Sequence, residues 1–270
     1  MTSTVTRGRA STRDLLCLLF LLGTATSAHS QTHDGMPKMD TSSQQHDSMQ
    51  SMASQKSEMA MDATEMDVAH PFFTHMGMPE GVGNYALRLV GVATRDAGET
   101  DGDFGFHLET GLSKTIGLHV RNDRVSTNTH TEVMLQFAAI SSRDGMSGVS
   151  PLIEFEFPTH EGEKTIYTLV GFTTAWSTSK FALNQSLEYS PKEEVVEGSA
   201  AAVVRVGGRF FPTVEMIGEA AKGALPLYAA LGGIKARIGK HVFAGVAYKA
   251  PISDERDFDS QLLIETDLEM

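Results

Sequence analysis

Residues 103–123 read DFGFHLETGLSKTIGLHVRND, and their alternation decides the fold. On the first arm Phe104, Phe106 and Leu108 alternate with Gly105, His107 and Glu109. On the second, Ile116, Leu118 and Val120 alternate with Gly117, His119 and Arg121. Between them Gly111-Leu-Ser-Lys-Thr115 is short and polar enough to turn the chain. A period of two puts one set of side chains on each face of a sheet. One face of this hairpin is therefore wholly apolar, and the other carries histidine and charge. A soluble sheet would bury the apolar face against a second layer. A membrane barrel would turn it to lipid and point the charged face into a wet lumen.

The same style continues to residue 270, in about twelve strand candidates. Besides the two arms they are Tyr85–Thr94, Glu132–Ser141, Ser150–Pro158, Lys164–Trp176, Lys180–Tyr189 and Ala200–Phe211. A turn at Pro212 then leads to Thr213–Ala221, Leu225–Ile238, His241–Ala250 and Ser260–Met270. Most are about 9 to 13 residues long, as a tilted membrane strand requires, whereas soluble strands centre on about five or six. Glu154 and Glu156 share one face of Ile153–Phe157, and Leu262, Ile264 and Leu268 oppose Gln261, Glu265 and Asp267. Residues 165–176 and 200–208 are apolar or small on both faces and suit a sandwich core equally well. Short connections (GLSKT, WSTSK, FFPT, IGKH) alternate with longer polar ones (121–131, 159–163, 190–199, 250–259), as inner turns and outer loops of a barrel do. The expected fold is all-β: an antiparallel up-and-down membrane β-barrel over residues 84–270.

Two hairpins, Gly111-Leu-Ser-Lys-Thr-Ile-Gly-Leu-His-Val120 and Ile238-Gly-Lys-His-Val-Phe-Ala-Gly245, carry a family resemblance. This region resembles the bacterial outer-membrane transporter-like barrels grouped with the phenol meta-pathway degradation proteins. The resemblance implies a closed barrel of about twelve strands and passive or facilitated transport of a small molecule or ion. The expected partners are then outer-membrane lipid, the barrel-insertion machinery and that solute. It supplies no substrate residues.

The N-terminal end reads as a secretory signal over residues 1–28. Arg7, Arg9 and Arg13 precede the apolar run Leu15–Leu22, and Thr26-Ser-Ala28 suits signal peptidase. The run is only about 8 residues, against roughly 20 for a spanning helix. The one cysteine, Cys17, lies in that run, so the exported part holds no disulfide. Residues 29–69 have no aromatic residue, leucine or isoleucine and read as disordered. They carry His29, His33, Met36, Met39, His46, Met49 and Met52, and in this resemble the Met/His-rich leaders of copper-resistance proteins. Thioether and imidazole donors suit copper, the one metal cofactor the chain suggests. Residues 70–83 form a plug or clamp at the start of the barrel, where His70, His75, Met76 and Met78 could extend that donor set.

The full chain has 22 basic and 34 acidic residues, a net charge of −12, which argues against nucleic acid as a partner. If the apolar faces meet lipid, the lumen is lined by His107, Glu109, His119, Arg121, Glu132, Glu154, Glu156, Arg205, Arg209, Glu215, Glu219, Lys235 and Arg237, with Gln136 among them. Acidic residues concentrate in the first half and basic ones in the second. Closure would either set them facing across an open lumen or let them pair and fill a narrow one. His107 and His119 share a face, yet a metal site would need further ligands placed in space. Outer-membrane phospholipases carry a His-x-Ser pair; residues 84–270 have none, nor a P-loop, G-x-S-x-G or H-E-x-x-H. The chain is expected not to be an enzyme. The competing readings are an envelope copper-binding protein anchored by its barrel, and a soluble β-sandwich binding module.

Overall fold

The computed structural model describes residues 68–126, 130–143, 145–159 and 164–270. The expected signal peptide, almost all of the Met/His-rich segment and its donors His29, His33, Met36, Met39, His46, Met49 and Met52 lie outside the described residues. What is described is all β. The strands are β1 (Tyr85–Asp96), β2 (Glu99–Ser113), β3 (Ile116–Asn122), β4 (His130–Phe137), β5 (Ile140–Ser141), β6 (Gly148–Pro158) and β7 (Tyr167–Ser177). They continue as β8 (Phe181–Ser190), β9 (Val195–Val204), β10 (Phe210–Ala221), β11 (Leu227–Arg237), β12 (Val242–Pro251) and β13 (Ser260–Glu269). Each pairs antiparallel with its neighbours, and β1 pairs with β13 from Ala86↔Glu269 to Arg95↔Ser260, which closes the ring. The two-residue β5 continues β4 beyond Ala138-Ala139, and both lie against β6, so the wall is a twelve-strand barrel.

Side chains sort by the period of two. On β10 Phe211, Thr213 and Glu215 are buried, while Phe210, Val214 and Met216 are exposed. On β13 Gln261, Leu263, Glu265 and Asp267 point inward, and Leu262 and Ile264 point out. The ambiguous stretch 165–176 resolves likewise: Leu169 and Thr173 face in, Val170, Phe172 and Trp176 face out. Exposed aromatics gather near both rims. Tyr85, Phe137, Trp176 and Phe210 stand at strand ends on the side where β1 begins, and Phe157, Tyr189 and Tyr248 lie near the opposite ends. An apolar outer wall between two aromatic girdles is the surface of an outer-membrane barrel, and a sandwich is ruled out by closure.

Three expectations need correction. The strand expected at Ala200–Phe211 is Val195–Val204, and the turn is Arg205–Arg209 rather than Pro212. Val206 and Phe210 exchange both backbone hydrogen bonds, so the next bonded pair would ask Pro212 for an N–H it lacks. Pairing with β9 accordingly resumes only at Thr213↔Val203. The polar loop expected over 190–199 shrinks to four residues, because Val195–Ser199 already pair with β8. The first strand also runs on to Asp96 and turns back through Ala97-Gly98 into a β2 of 15 residues.

That turn has φ of 49° at Ala97 and 89° at Gly98, the left-handed pair that a two-residue hairpin needs. An alanine there is strained by roughly 1 kcal/mol. Ala97→Asn should stabilise the micelle-refolded barrel by about 0.5–1 kcal/mol, read as a higher denaturant midpoint, with the turn otherwise unchanged. Ala97→Val should lower it.

Candidate functional site

The lumen is occupied by the chain's own residues 68–83. They enter against Ala182, Val203, Phe211 and Phe243, where Val68 and Ala69 complete a buried apolar cluster. Phe72 then seats on Leu231, Ala247 and Leu263. Its ring fits because Gly233 and Gly245 leave room: a Cβ on either would meet the ring within 3.0 Å. Farther along, Gly111 is crossed by the backbone of Glu80-Gly81, and Gly117 lies under Pro79. Residues 68–83 are thus fitted to a glycine-paved inner wall.

Polar contacts fasten it. The Glu215 carboxylate accepts the backbone N–H groups of Phe72, Phe73 (3.1 Å) and Thr74 (2.9 Å), and the Thr74 hydroxyl (2.9 Å). The Pro71 carbonyl accepts from Arg88 Nη1 at 2.9 Å and from Lys235 Nζ at 3.2 Å. Gly77 N donates to Asn184 Oδ1 (3.0 Å), and Gln136 Nε2 donates to the Met76 carbonyl (2.8 Å). Met78 is buried, with its sulfur 3.6 Å from Ser150 Oγ.

Charge in the lumen is paired locally rather than in facing rows. Arg88 bonds Glu109; Arg121 meets Glu132 at 2.9 Å and Asp123 at 3.1 Å; Lys235 meets Glu265 and, at 2.8 Å, Asp267. Arg88–Glu109, Arg121–Glu132 and Lys235 with Glu265 and Asp267 join nearby strands, and Asp123 follows directly on β3. Of the residues expected to line the lumen, His107, Glu109, His119, Glu154, Glu215 and Lys235 are buried there, and Arg121 and Glu132 are nearly so. Glu156 is half-buried nearer the rim, Glu219 lines the mouth, and Arg237 lies over the rings of Phe211 and Phe243. Arg205 and Arg209 are corrections: both belong to the β9–β10 turn, beyond the wall, because β9 ends at Val204.

Three groups of side chains converge along this lumen. His75, His107 and His119 are buried together with ring centroids 5.6–6.1 Å apart. His70 is wholly buried among Glu80 (3.4 Å), Glu269 (3.6 Å) and Glu109 (3.7 Å). His75 also faces Glu188 at 3.7 Å and Glu154 at 3.9 Å. Arg88, Glu80, Glu188, Glu265, Asp267 and Glu269 are absent from the expected set. The polar face of β13 signals three of them, Arg88 alternates with Leu87 and Leu89, and nothing local marks Glu80. Burial resists charge on His70, but its three carboxylate neighbours outweigh that and raise its pKa to about 9. Glu80 is pushed up to about 7, chiefly by burial. Burial, with Arg121 beside it, holds His75 well below the ordinary histidine value.

Above the segment, toward the rim bearing the loops after β3, β6 and β12, lies a cavity of about 200 Å³ with Phe73 and His75 among its lining residues. Its lining holds six carboxylates, including Glu188, Glu197 and Glu219, against the three cations Arg121, Lys249 and Arg256.

No protein-family model and no curated protein sequence matches the chain. Among solved structures it is similar to the NanC porin, at 9% identity and a TM-score of 0.50, over 67% of this chain and 97% of that one. It is also similar to an outer membrane channel from Pseudomonas putida F1, at 7% identity and a TM-score of 0.51, over 75% and 100%. At such identities the likeness is one of fold.

Two outcomes follow for the segment. Glu215→Ala strands three N–H donors, two of them buried, and should weaken its seating by ~3 kcal/mol or more. Limited proteolysis would then cut within 68–83 while the barrel keeps its heat-dependent gel mobility. The His70 contribution is complete below about pH 6.5, where it is charged in the seated and the released segment alike. It fades as pH rises through about 9. Glu80 acts in the same sense at lower pH, its contribution fading between about pH 4.5 and 7. Protease protection should fall further between about pH 6.5 and 9, by about 3 kcal/mol for His70 alone. His70→Gln should flatten that profile.

Proposed function

We propose that this protein is an outer-membrane channel for small solutes, with a preference for cations, narrowed by its own segment 68–83. The observation that carries the reading is the cavity above that segment: a polar chamber inside a closed barrel, with twice as many carboxylates as cations in its lining. Rings of carboxylates favour cation entry, the more so where low-dielectric walls limit screening. The two fold neighbours bear the names of a porin and a channel, which accords with this reading. The loops after β3, β6 and β12 are among the longest connections, so the cavity faces the cell exterior. The resemblance to transporter-like barrels of the phenol meta-pathway type points to small molecules rather than macromolecules. No nucleophile–base pair stands out among the named clusters, and an enzymatic role is not part of the proposal.

The purified protein, in planar bilayers under a potassium chloride gradient, should conduct with a reversal potential of cation-selective sign. Glu197→Gln with Glu219→Gln should move that potential toward zero, and deletion of residues 68–83 should raise conductance several-fold. A barrel that stays silent with and without the segment would sink the channel reading.

A further inference from the structure

We propose that His75, His107 and His119 form a binding site for one transition-metal ion of the zinc(II) or copper(II) class, with Glu109 at its edge. The three imidazoles come from the lumen segment, β2 and β3, and they offer nitrogens within 4.8 Å of one another. All three residues are at least nine-tenths buried, at 6%, 5% and 1% exposure. Around a tetrahedral ion held at about 2.0–2.1 Å, nitrogens stand about 3.4 Å apart, so the rings need close by at most about 1.4 Å.

The hydrogen bonding leaves donor atoms pointed at this space. Gln136 Nε2 is committed to the Met76 carbonyl and Thr173 Oγ1, so its Oε1 accepts from His119 Nε2–H at 3.2 Å. That fixes the His119 tautomer and leaves the lone pair on Nδ1, which is buried without a hydrogen-bond partner. His75 Nδ1 and Glu109 Oε2 are likewise buried and unbonded, and Glu109 Oε2 lies 3.7 Å from His119 Nδ1. Imidazole ligands backed by an amide and a carboxylate are the usual surroundings of a bound zinc or copper ion. Arg88, which reaches both His107 and Glu109, is the ion's competitor and balances the carboxylate when no metal is present. The His70 cluster differs: there a single imidazole stands among three carboxylates. The proposal does not depend on conduction.

The test uses the full chain in micelles, titrated with zinc(II) and, for spectra, cobalt(II). The wild type should hold one more zinc ion per chain than His75→Ala or the His107→Ala/His119→Ala double variant. The d–d absorption of bound cobalt should be lost in both. Ions held elsewhere, including by the Met/His-rich segment, cancel in this difference. His130→Ala, a histidine outside the cluster, should retain the wild-type count. Heat-dependent mobility reports folding; if the double variant does not form a barrel, His75→Ala decides, since it leaves every wall strand intact. Equal zinc counts and equal cobalt spectra in wild type and His75→Ala would overturn the proposal.

Discussion

A wall whose outer face meets hydrocarbon can put its charges only inside, and a ring of twelve strands is too narrow to hydrate them all. Every ionisable residue of the inner face therefore needs a partner within reach. Lys235 has Glu265 and Asp267, Arg88 has Glu109, and Arg121 has Glu132 and Asp123. Breaking such a buried pair by removing one member typically costs about 3–5 kcal/mol, so these pairs set which lumen residues can change independently. They also decide what else the lumen can hold. Segment 68–83 supplies backbone N–H groups to Glu215, the one buried carboxylate of β10, and a carbonyl to Arg88 and Lys235. At Glu215 the segment provides hydrogen bonds in place of a counter-charge.

Much of the wall is legible in the sequence because its rule is local. The alternation of Phe104, Phe106 and Leu108 with His107 and Glu109 assigns each residue to a face, whatever the neighbouring strands are. It misleads where small residues stand on both faces, as at Ala200–Ala202, and the misplaced turn at Pro212 follows from that. Proline is a fair turn signal. Here, however, its missing N–H falls where β9 has run out, so the strand carries it.

The lumen is less legible because its contacts are not local. Phe72 and Glu215 are 143 residues apart, and Gly77 and Asn184 are 107 apart. Nothing around His70 or Glu80 announces three carboxylates, since Glu109 and Glu269 come from the second strand and the last. The two histidines of the β2–β3 hairpin can be placed on one face from their spacing alone. The third, His75, joins them only through the course of a segment rich in glycine and proline. The glycines at 111, 117, 233 and 245 read as β-turn or strand-weakening residues until the packed segment shows what they make room for.

His70 touches Glu109 of β2 and Glu269 of β13, the two strands that flank β1. The segment that precedes the first strand thereby finds an ion-pair partner on the strand that closes the ring. Neither the seam between β1 and β13 nor this inner segment can reach its final state early in assembly. The last ten residues of the barrel must arrive before the sixteen that begin it can settle. Ring closure and lumen packing are coupled into one late step, in which each stabilises the other.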